Sequence, residues 1–453
     1  MKELMRNIAL LLILLVVLSV CGHLACGSSD ETAPVSEPTP TPILTRSPTS
    51  SPIPSLTPSP SPIPVDLPTT RIEPDISDNV VITIGNLTDV TGVASNALNI
   101  LTMALEDIAG LYNDHDLMPG VEFKVITYDT QYNPDLDTTG YEWLKERGAD
   151  FIFTPVASAA TTLKPRLEND QMVLFTVAPT EAALVPPGYI FCTGNASGRD
   201  VSYTTLEWIA AKDPDFPVGR PAKIGGAYWV EAYAEEILKG AEEYAEVHPD
   251  KYEWVGSFLS EFTFSWEKEV EALKDCDYVL PPAPVNQFAI EYRSAGNTAK
   301  FVGTDAHLVF LGMVESADIW GKLDGMLFVK PGRWWNEDDD LIVLTKSLLF
   351  GNHPDEAEEI MRGGSGYLTV RPFHVMFSLI EDTVEAVGAE NFISQAIYDS
   401  ARSFSMTIDD LELYSFNETK RVSSNYLGVY ELNAAEKDIF RIDPEWYPIV
   451  NSP

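Results

Sequence analysis

From residue 79 onward the chain alternates short apolar, β-branched runs with segments of helical spacing, which leaves few folds open. NVVITIGNL is a buried strand by composition. The polar TDVTGVAS loop separates it from ALNILTMALEDIAGLY, apolar at helical spacing. VEFKVITYDT, ADFIFTPVAS and QMVLFTVAPT are further strands with their loops, and TTGYEWLKERG and TTLKPRLEND are the helices between them. The order β-α-β-α-β-α-β predicts a parallel sheet covered by helices on both faces. The second half repeats it. AKIGGAYW, YEWVGSFLS, DYVLPPAP and AKFVGTDAH are strands, and AYAEEILKGAEEYAE, SWEKEVEALKD and FAIEYRSAGN are helices. The expected fold class is α/β, with two doubly wound parallel-sheet lobes. Lobe 1 is expected over 78–197, continued by about 331–415, and lobe 2 over 198–330 with part of 416–453. PFHVMFSLIEDTVEAVG is a late helix, and LELYSFNETK and NYLGVYELN are late strands that fit either lobe. Ligands in such sheets bind where loops leave the carboxyl ends of the strands.

The first 77 residues read differently. Lys2 and Arg6 precede an apolar run from Ile8 to Val20, and small Ala25 precedes Cys26. Charge, apolar core and small-residue cleavage site together make a secretory signal peptide over 1–25. The apolar core is about 13 residues, short of the roughly 20 that span a bilayer. A cysteine just after the cut resembles the lipobox of bacterial lipoproteins, which makes Cys26 the expected lipidation site. Residues 26–77 are expected to be a disordered tether. Between Glu37 and Arg71 there are 11 Pro, 6 Ser and 7 Thr. Proline at that density blocks helix and ladder alike and favours extended polyproline II.

The formal charge is −38, with acidic residues scattered apart from the cluster Glu337–Asp340. Phosphate binding needs clustered Lys and Arg, so nucleic acid is not an expected partner. The charge implies solubility and a mutually repelling, monomeric surface. Outside the export segment only Cys192 and Cys276 remain, expected as buried free thiols. No HExxH, GxSxG, GxGxxG, Walker or EF-hand pattern occurs, and no Cys/His cluster suggests zinc. No enzyme activity, metal or cofactor is expected. Most histidines read as surface or capping residues; His307 stands apart because it lies in a strand-end loop.

The candidate site lies in such loops. FIFTPVASAATT and VLFTVAPTEAA both end a buried strand in small residues and hydroxyls. Ser158, Thr161 and Thr180, with free backbone N–H groups, suit a carboxylate, and small side chains let it approach the backbone. The competing reading is that they only cap the next helix. On the other lobe FVGTDAH puts Asp305 at a strand end, suited to a ligand ammonium. Tyr233, with Tyr228 and Trp229 nearby, suits a pocket wall.

These loops, in order, resemble the periplasmic leucine/isoleucine/valine-binding proteins of ABC transporters, the type I solute-binding fold, over about residues 79–450. IGNLTDVTG is similar to that family's first strand and loop, with Asp89 and Val90 in place of its Pro-Leu. YDTQYNP matches the acidic loop after the second strand. ERGADFIFTPVASAATTLKP and QMVLFTVAPTEAAL match the ligand-binding strand-loops. FCTGNASGRD resembles the crossing into the second lobe, and YSFNETKRVSSNYLGVYEL the late hinge. The resemblance implies that Ser158, Thr180 and the Ala178 backbone bind an α-carboxylate. It places Asp305 against the α-ammonium and Tyr233 as the aromatic that closes over the ligand. DYVLPPAP replaces a Gly/Tyr-rich loop, TPVASAA carries few hydroxyls, and Trp334–Trp335 is an unusual pair, so the ligand class stays open.

The implied function is an extracytoplasmic solute-binding lipoprotein, anchored to the membrane by its lipid. It would capture a branched-chain or other amino acid, or a small amide, between hinged lobes and deliver it to ABC permease subunits. The alternatives are a ligand-sensing receptor subunit and a non-transport surface lipoprotein.

Overall fold

The structure, a computed structural model, describes residues 79–261 and 265–453. The signal peptide, Cys26 and the tether lie outside the described residues.

Five parallel strands form the first sheet: β1 (Val80–Thr88), β2 (Val121–Asp129), β3 (Phe151–Thr154), β4 (Leu174–Thr176) and β5 (Ile190–Cys192), in the order β2-β1-β3-β4-β5. The last seven residues of β1 are buried without alternation, as a strand covered on both faces requires. The connecting helices are α1 (Ser95–Asp114), α2 (Asp137–Glu146), α3 (Ala157–Asp170) and the single turn α4 (Glu181–Leu184). Asp89, fully buried, braces the loop into α1: its carboxylate accepts the N–H groups of Gly92 and of Ala94, the latter at 2.8 Å.

The chain then crosses to a second lobe. It contains α5 (Gly198–Lys212), β6 (Ala222–Trp229), α6 (Ala232–Val247), β7 (Tyr252–Ser260), α7 (Glu267–Ala272), β8 (Tyr278–Leu280) and α8 (Asn286–Ser294). β9 (Lys300–Thr304), α9 (Asp305–Leu308), α10 (Leu311–Ser316) and β10 (Leu327–Lys330) follow. Counted from β6, the order β7-β6-β8-β9-β10 repeats that of the first lobe.

The remaining elements are α11 (Asp340–Asn352), α12 (Ala357–Gly363), α13 (Val370–Val387), α14 (Ser394–Ala401), a hairpin of β11 (Ser405–Ile408) and β12 (Leu411–Ser415), then β13 (Tyr426–Asn433) and β14 (Asp438–Arg441). β13 pairs antiparallel to β10 and carries β14 beyond it, so late strands extend the second sheet. The late helix α13 packs on the first sheet instead. Phe373 meets Phe153 at 4.9 Å between ring centroids, and Phe377 meets Phe123 and Tyr112 at 4.8 and 4.6 Å. Each buried phenylalanine contributes about 1.5–3 kcal/mol, so this face is a major tie. Cys192 and Cys276 are free and buried. The Trp334–Trp335 pair anchors the connection after β10, the indole N–H groups donating to Asp438 (2.6 Å) and to the Gly364 carbonyl (2.8 Å).

Between β5 and α5, Gly194 lies against the β4 loop, where an added Cβ would sit 2.5 Å from the Val177 Cα and carbonyl oxygen. Backbone cannot give way as a side-chain tip can. Gly194→Ala is therefore expected to destabilise the protein by about 1–3 kcal/mol, read as a lower urea midpoint at constant slope. An unchanged midpoint would show that the crossing has room to shift.

Candidate functional site

The strand ends of the first lobe are held by threonine hydroxyls. Thr154, Thr176 and Cys192 sit side by side across β3, β4 and β5. Thr154 Oγ1 accepts the Val156 N–H at 3.2 Å, and Thr176 Oγ1 the Ala178 N–H at 3.4 Å. Thr180 is the N-cap of α4, accepting the Ala183 N–H at 3.1 Å. Its hydroxyl also lies 2.7 Å from that of Thr161, so two of the candidate hydroxyls meet directly. Thr180 thus does what the capping reading requires while staying joined to α3. Ser158 is half-buried in the first turn of α3, where Val156 rather than Ser158 is the N-cap.

In the second lobe Thr304 ends β9 and caps α9, placing Asp305 at the strand's carboxyl end. His307 is part of the cap and not a base. Its Nδ1 accepts the Thr304 N–H at 3.0 Å, which leaves the proton on Nε2 to donate to the Pro281 carbonyl at 3.0 Å. Burial pushes the imidazole down to about 4 and keeps it neutral. The proline loop after β8 is thereby tied to the turn that carries Asp305.

The crossing segment brings the two sets of loops together. The Asn195 N–H donates to the Val177 carbonyl at 2.9 Å, beside Ala178, while its side chain hydrogen-bonds the Asp305 carboxylate. The Tyr233 hydroxyl donates to the Ala196 carbonyl at 3.4 Å. Ala157, Ala196, Tyr228 and Tyr233 share one buried apolar cluster against which Ala178 packs, so residues from both lobes and the crossing meet. Asp305 is half-buried at its surface yet deep enough that its carboxyl is pushed up to about 6. It lies within electrostatic reach of Tyr233, Tyr228 and Cys192, and of the cations Lys330 and Arg371. Trp229 instead packs edge-on to Trp266, with centroids 4.5 Å apart.

Asn195, Lys330 and Arg371 were not candidates from sequence. Lys330 carried a signal: a single cation ending the apolar run MLFV, just before Pro-Gly. It is buried, its ammonium donating to the Gly332 and Arg333 carbonyls at 2.6 and 2.5 Å. The acidic cluster 337–340 serves its own elements. Glu337 accepts from Tyr430 at 2.6 Å and pairs with Arg333 and Arg441, and Asp339 caps α11.

At the rim the lobes touch through polar groups. The Glu181 N–H on α4 donates to Glu236 Oε1 on α6 at 2.6 Å, and Arg199 pairs with Glu181 at 2.7 Å and Glu243 at 3.5 Å. On the opposite loop Gln131 and Tyr132 both hold left-handed backbone, and Tyr132 lies within reach of the Glu231 charge. A groove of about 330 Å³ opens between the first turns of α1, the segment after α9 and α12, lined by Asn96, Ile100, Val309, Glu356 and Ile360.

The geometry defines a class: two α/β lobes of one topology, whose strand-end loops meet at a crossing segment. The description "periplasmic binding protein" matches residues 81–342, and the chain belongs to that family of solute-binding receptors. Solved structures agree in fold. A branched-chain amino acid ABC transporter from Thermus thermophilus with bound valine superposes with TM-score 0.69 at 16% identity, covering 82% of this chain and 97% of that one. A fatty acid ABC transporter substrate-binding protein from Thermomonospora curvata gives 0.66 at 17%, covering 83% and 97%. An R. palustris solute-binding protein in complex with 4-hydroxybenzoate gives 0.64 at 15%, covering 82% and 97%. No curated protein sequence matches.

Burial pushes Glu236 up to about 7, against the Glu181 N–H and Arg199, which favour its anion. Its Oε2 is buried without a partner. An unfolded glutamate titrates near 4.3. The folded state therefore carries a penalty above pH 7 that is relieved as pH falls from about 7 towards 4.3. Glu236→Gln keeps the acceptor for Glu181 and removes the charge. It is expected to stabilise the protein by about 1 kcal/mol at pH 8 and by much less at pH 5, discounted for partial exposure. Denaturant melts of both proteins at the two pH values measure this; a variant less stable at both would reverse the assignment.

Proposed function

We propose that the protein is the extracytoplasmic receptor of an ABC transporter, taking a small carboxylate-bearing solute between its lobes. The observation that carries the reading is convergence: the β4 loop of one lobe and the β9 turn of the other meet at Asn195, and Ala157 of the β3 loop joins the buried cluster of its neighbour Ala196. In such a fold, a ligand touching both lobes stabilises the arrangement in which they are together. Valine, fatty acids and 4-hydroxybenzoate, for which the three similar structures are named, share a carboxylate and little else. The first lobe offers what that group needs: Thr180, Thr161 and Ser158 hydroxyls, backbone N–H groups around Ala178, and the first turn of α3. Tyr233 and Asp305 face it from the second lobe. An amino acid is one member of this ligand class, and aliphatic and aromatic acids are others. The chain acts by binding, and a permease recognises the loaded form. Cys26 carries the lipid that holds it to the membrane, at the end of a proline-rich tether.

Two measurements test this. Thermal unfolding against amino acids, short aliphatic acids and benzoates is expected to give a stabilising hit. Thr180→Val, which keeps shape and removes the hydroxyl, should weaken that hit by roughly tenfold or more, the worth of a hydrogen bond to a charged group. A folded protein indifferent to every carboxylate would remove the reading. In cells, incorporation of labelled palmitate is expected in the native chain and lost in Cys26→Ser; equal labelling would move the anchor elsewhere.

A further inference from the structure

At one rim a carboxylate of the second lobe is held against the first. Glu236 lies on α6, and its Oε1 accepts the Glu181 N–H of α4, across the boundary, at 2.6 Å. Its other oxygen, Oε2, is buried and has no partner among the described residues. Behind it α5 packs close: a Cβ on Gly198 would lie 2.8 Å from Glu236 Cβ. Parting the lobes takes α4 away and returns that oxygen to water.

The surrounding charges do not give the anion a partner. α4 brings the Glu181 carboxylate, and α5 brings Arg199 and Asp200. Arg199 is committed to Glu181 at 2.7 Å and Glu243 at 3.5 Å, and makes no ion pair with Glu236 among the described residues. The Lys164 ammonium of α3 is turned onto the Ala182 carbonyl at 3.1 Å. Along α6 itself, Glu243 accepts the Tyr203 hydroxyl at 2.5 Å, and Glu235 is exposed. Burial is the largest influence and pushes the Glu236 carboxyl up to about 7, with Glu181 and Asp200 adding to it and the Glu181 N–H and Arg199 opposing it.

Other contacts across the boundary differ. Glu231, within reach of Tyr132 of the first lobe, caps its own helix, accepting the Tyr233 and Ala234 N–H groups at 3.0 Å each. The opposite rim meets through backbone, the Ser365 N–H donating to the Leu308 carbonyl at 3.0 Å. Glu236 is the acid that closure leaves with an unpartnered oxygen.

We infer that closing the lobes takes up a proton on Glu236, so that the receptor holds its closed form, and any solute in it, better at pH 5 than at pH 8. This rests on the solute-receptor reading above, in which the lobes part and meet, and adds regulation to it. A proton on Oε2 removes the charge and leaves Oε1 to accept the Glu181 N–H. With the lobes apart, Glu236 titrates near 4.3, as an exposed glutamate does. With the lobes together, it keeps its proton up to about pH 7. Closure is therefore favoured as pH falls from about 7 towards 4.3, and opposed above that window.

Distances between spin labels on the mature full chain test this without any ligand. The labels sit on Thr139→Cys in α2 and Lys268→Cys in α7, both exposed, with Cys26→Ser removing the competing thiol; Cys192 and Cys276 are buried. The ratio of short to long distances is expected to rise about tenfold from pH 8 to pH 5, less than the full window allows because Glu236 is partly exposed. Glu236→Gln, a permanent mimic of the protonated acid, should give the short distance at both pH values. Glu236→Ala, which also removes the acceptor, should lose the pH dependence. Circular dichroism confirms the fold of each at both pH values. Distances that do not shift with pH while Glu236 is present would overturn the inference, and so would a shift that survives in both folded variants. Neither result touches the receptor reading, which falls separately if no carboxylate stabilises the protein.

Discussion

Everything at the cleft depends on how two crossing segments hold each other. The Cys192 N–H donates to the Arg421 carbonyl at 2.7 Å, and the Ser423 N–H returns to the Cys192 carbonyl at 2.8 Å. The Arg421 side chain is 3% exposed. A buried guanidinium stays charged and must be satisfied. Here it donates to the Gly188 and Asn417 carbonyls at 2.8 and 2.6 Å and lies 4.7 Å from the Phe191 ring. The outgoing and returning chains are thereby fixed in one register. Asn195, three residues beyond Cys192, falls beside Ala178 on one side and Asp305 on the other as a consequence.

Within that frame the two lobes use one topology for different purposes. Thr180 follows the fourth strand of the first lobe and Asp305 the fourth strand of the second, both at the start of one-turn helices. In the first lobe the turn presents a hydroxyl and N–H groups, which suit an anion. In the second it presents a carboxylate, held up to about 6 by burial and surrounded by Asn195, Lys330 and Arg371. The two turns differ in how they meet their strands: Thr180 is an N-cap four residues beyond Thr176, the end of β4, whereas Asp305 follows Thr304, the end of β9, directly.

Much of the scaffold was legible because parallel strands buried on both faces must be apolar without interruption. AKIGGAYW coincides with β6, and NVVITIGNL and VEFKVITYDT with β1 and β2 to within a residue or two. Several helices were not read, among them α11 and α5. α11 carries DLIVLTKSLLFGN, whose apolar residues encircle the helix and give no face to recognise. α5 carries Ser202, Thr204 and Thr205, poor helix formers, yet tertiary burial settles their state: Ser202 donates to the Ile237 carbonyl at 2.7 Å, Thr204 and Thr205 to carbonyls one turn back. The candidate site was legible where chemistry follows a strand end, as at Thr180 and Asp305. It was not legible where function depends on which strands become neighbours. Nothing in the order of residues says that Lys330 comes within electrostatic reach of Asp305, or that a late helix brings Arg371 over Gly332.

A chain of net charge −38 nonetheless buries cations where its segments cross. Surface carboxylates act through water and salt, and at physiological ionic strength their fields fade over about 8 Å. The cations at the crossing act through protein, where little solvent intervenes and each charge counts for more. Lys330 is 5% exposed and Arg421 3%, so neither is screened as a surface lysine would be. Salt should therefore weaken the fields of the surface carboxylates far more than those of the buried cations. An acidic surface and buried cations are compatible because they operate in different dielectric surroundings.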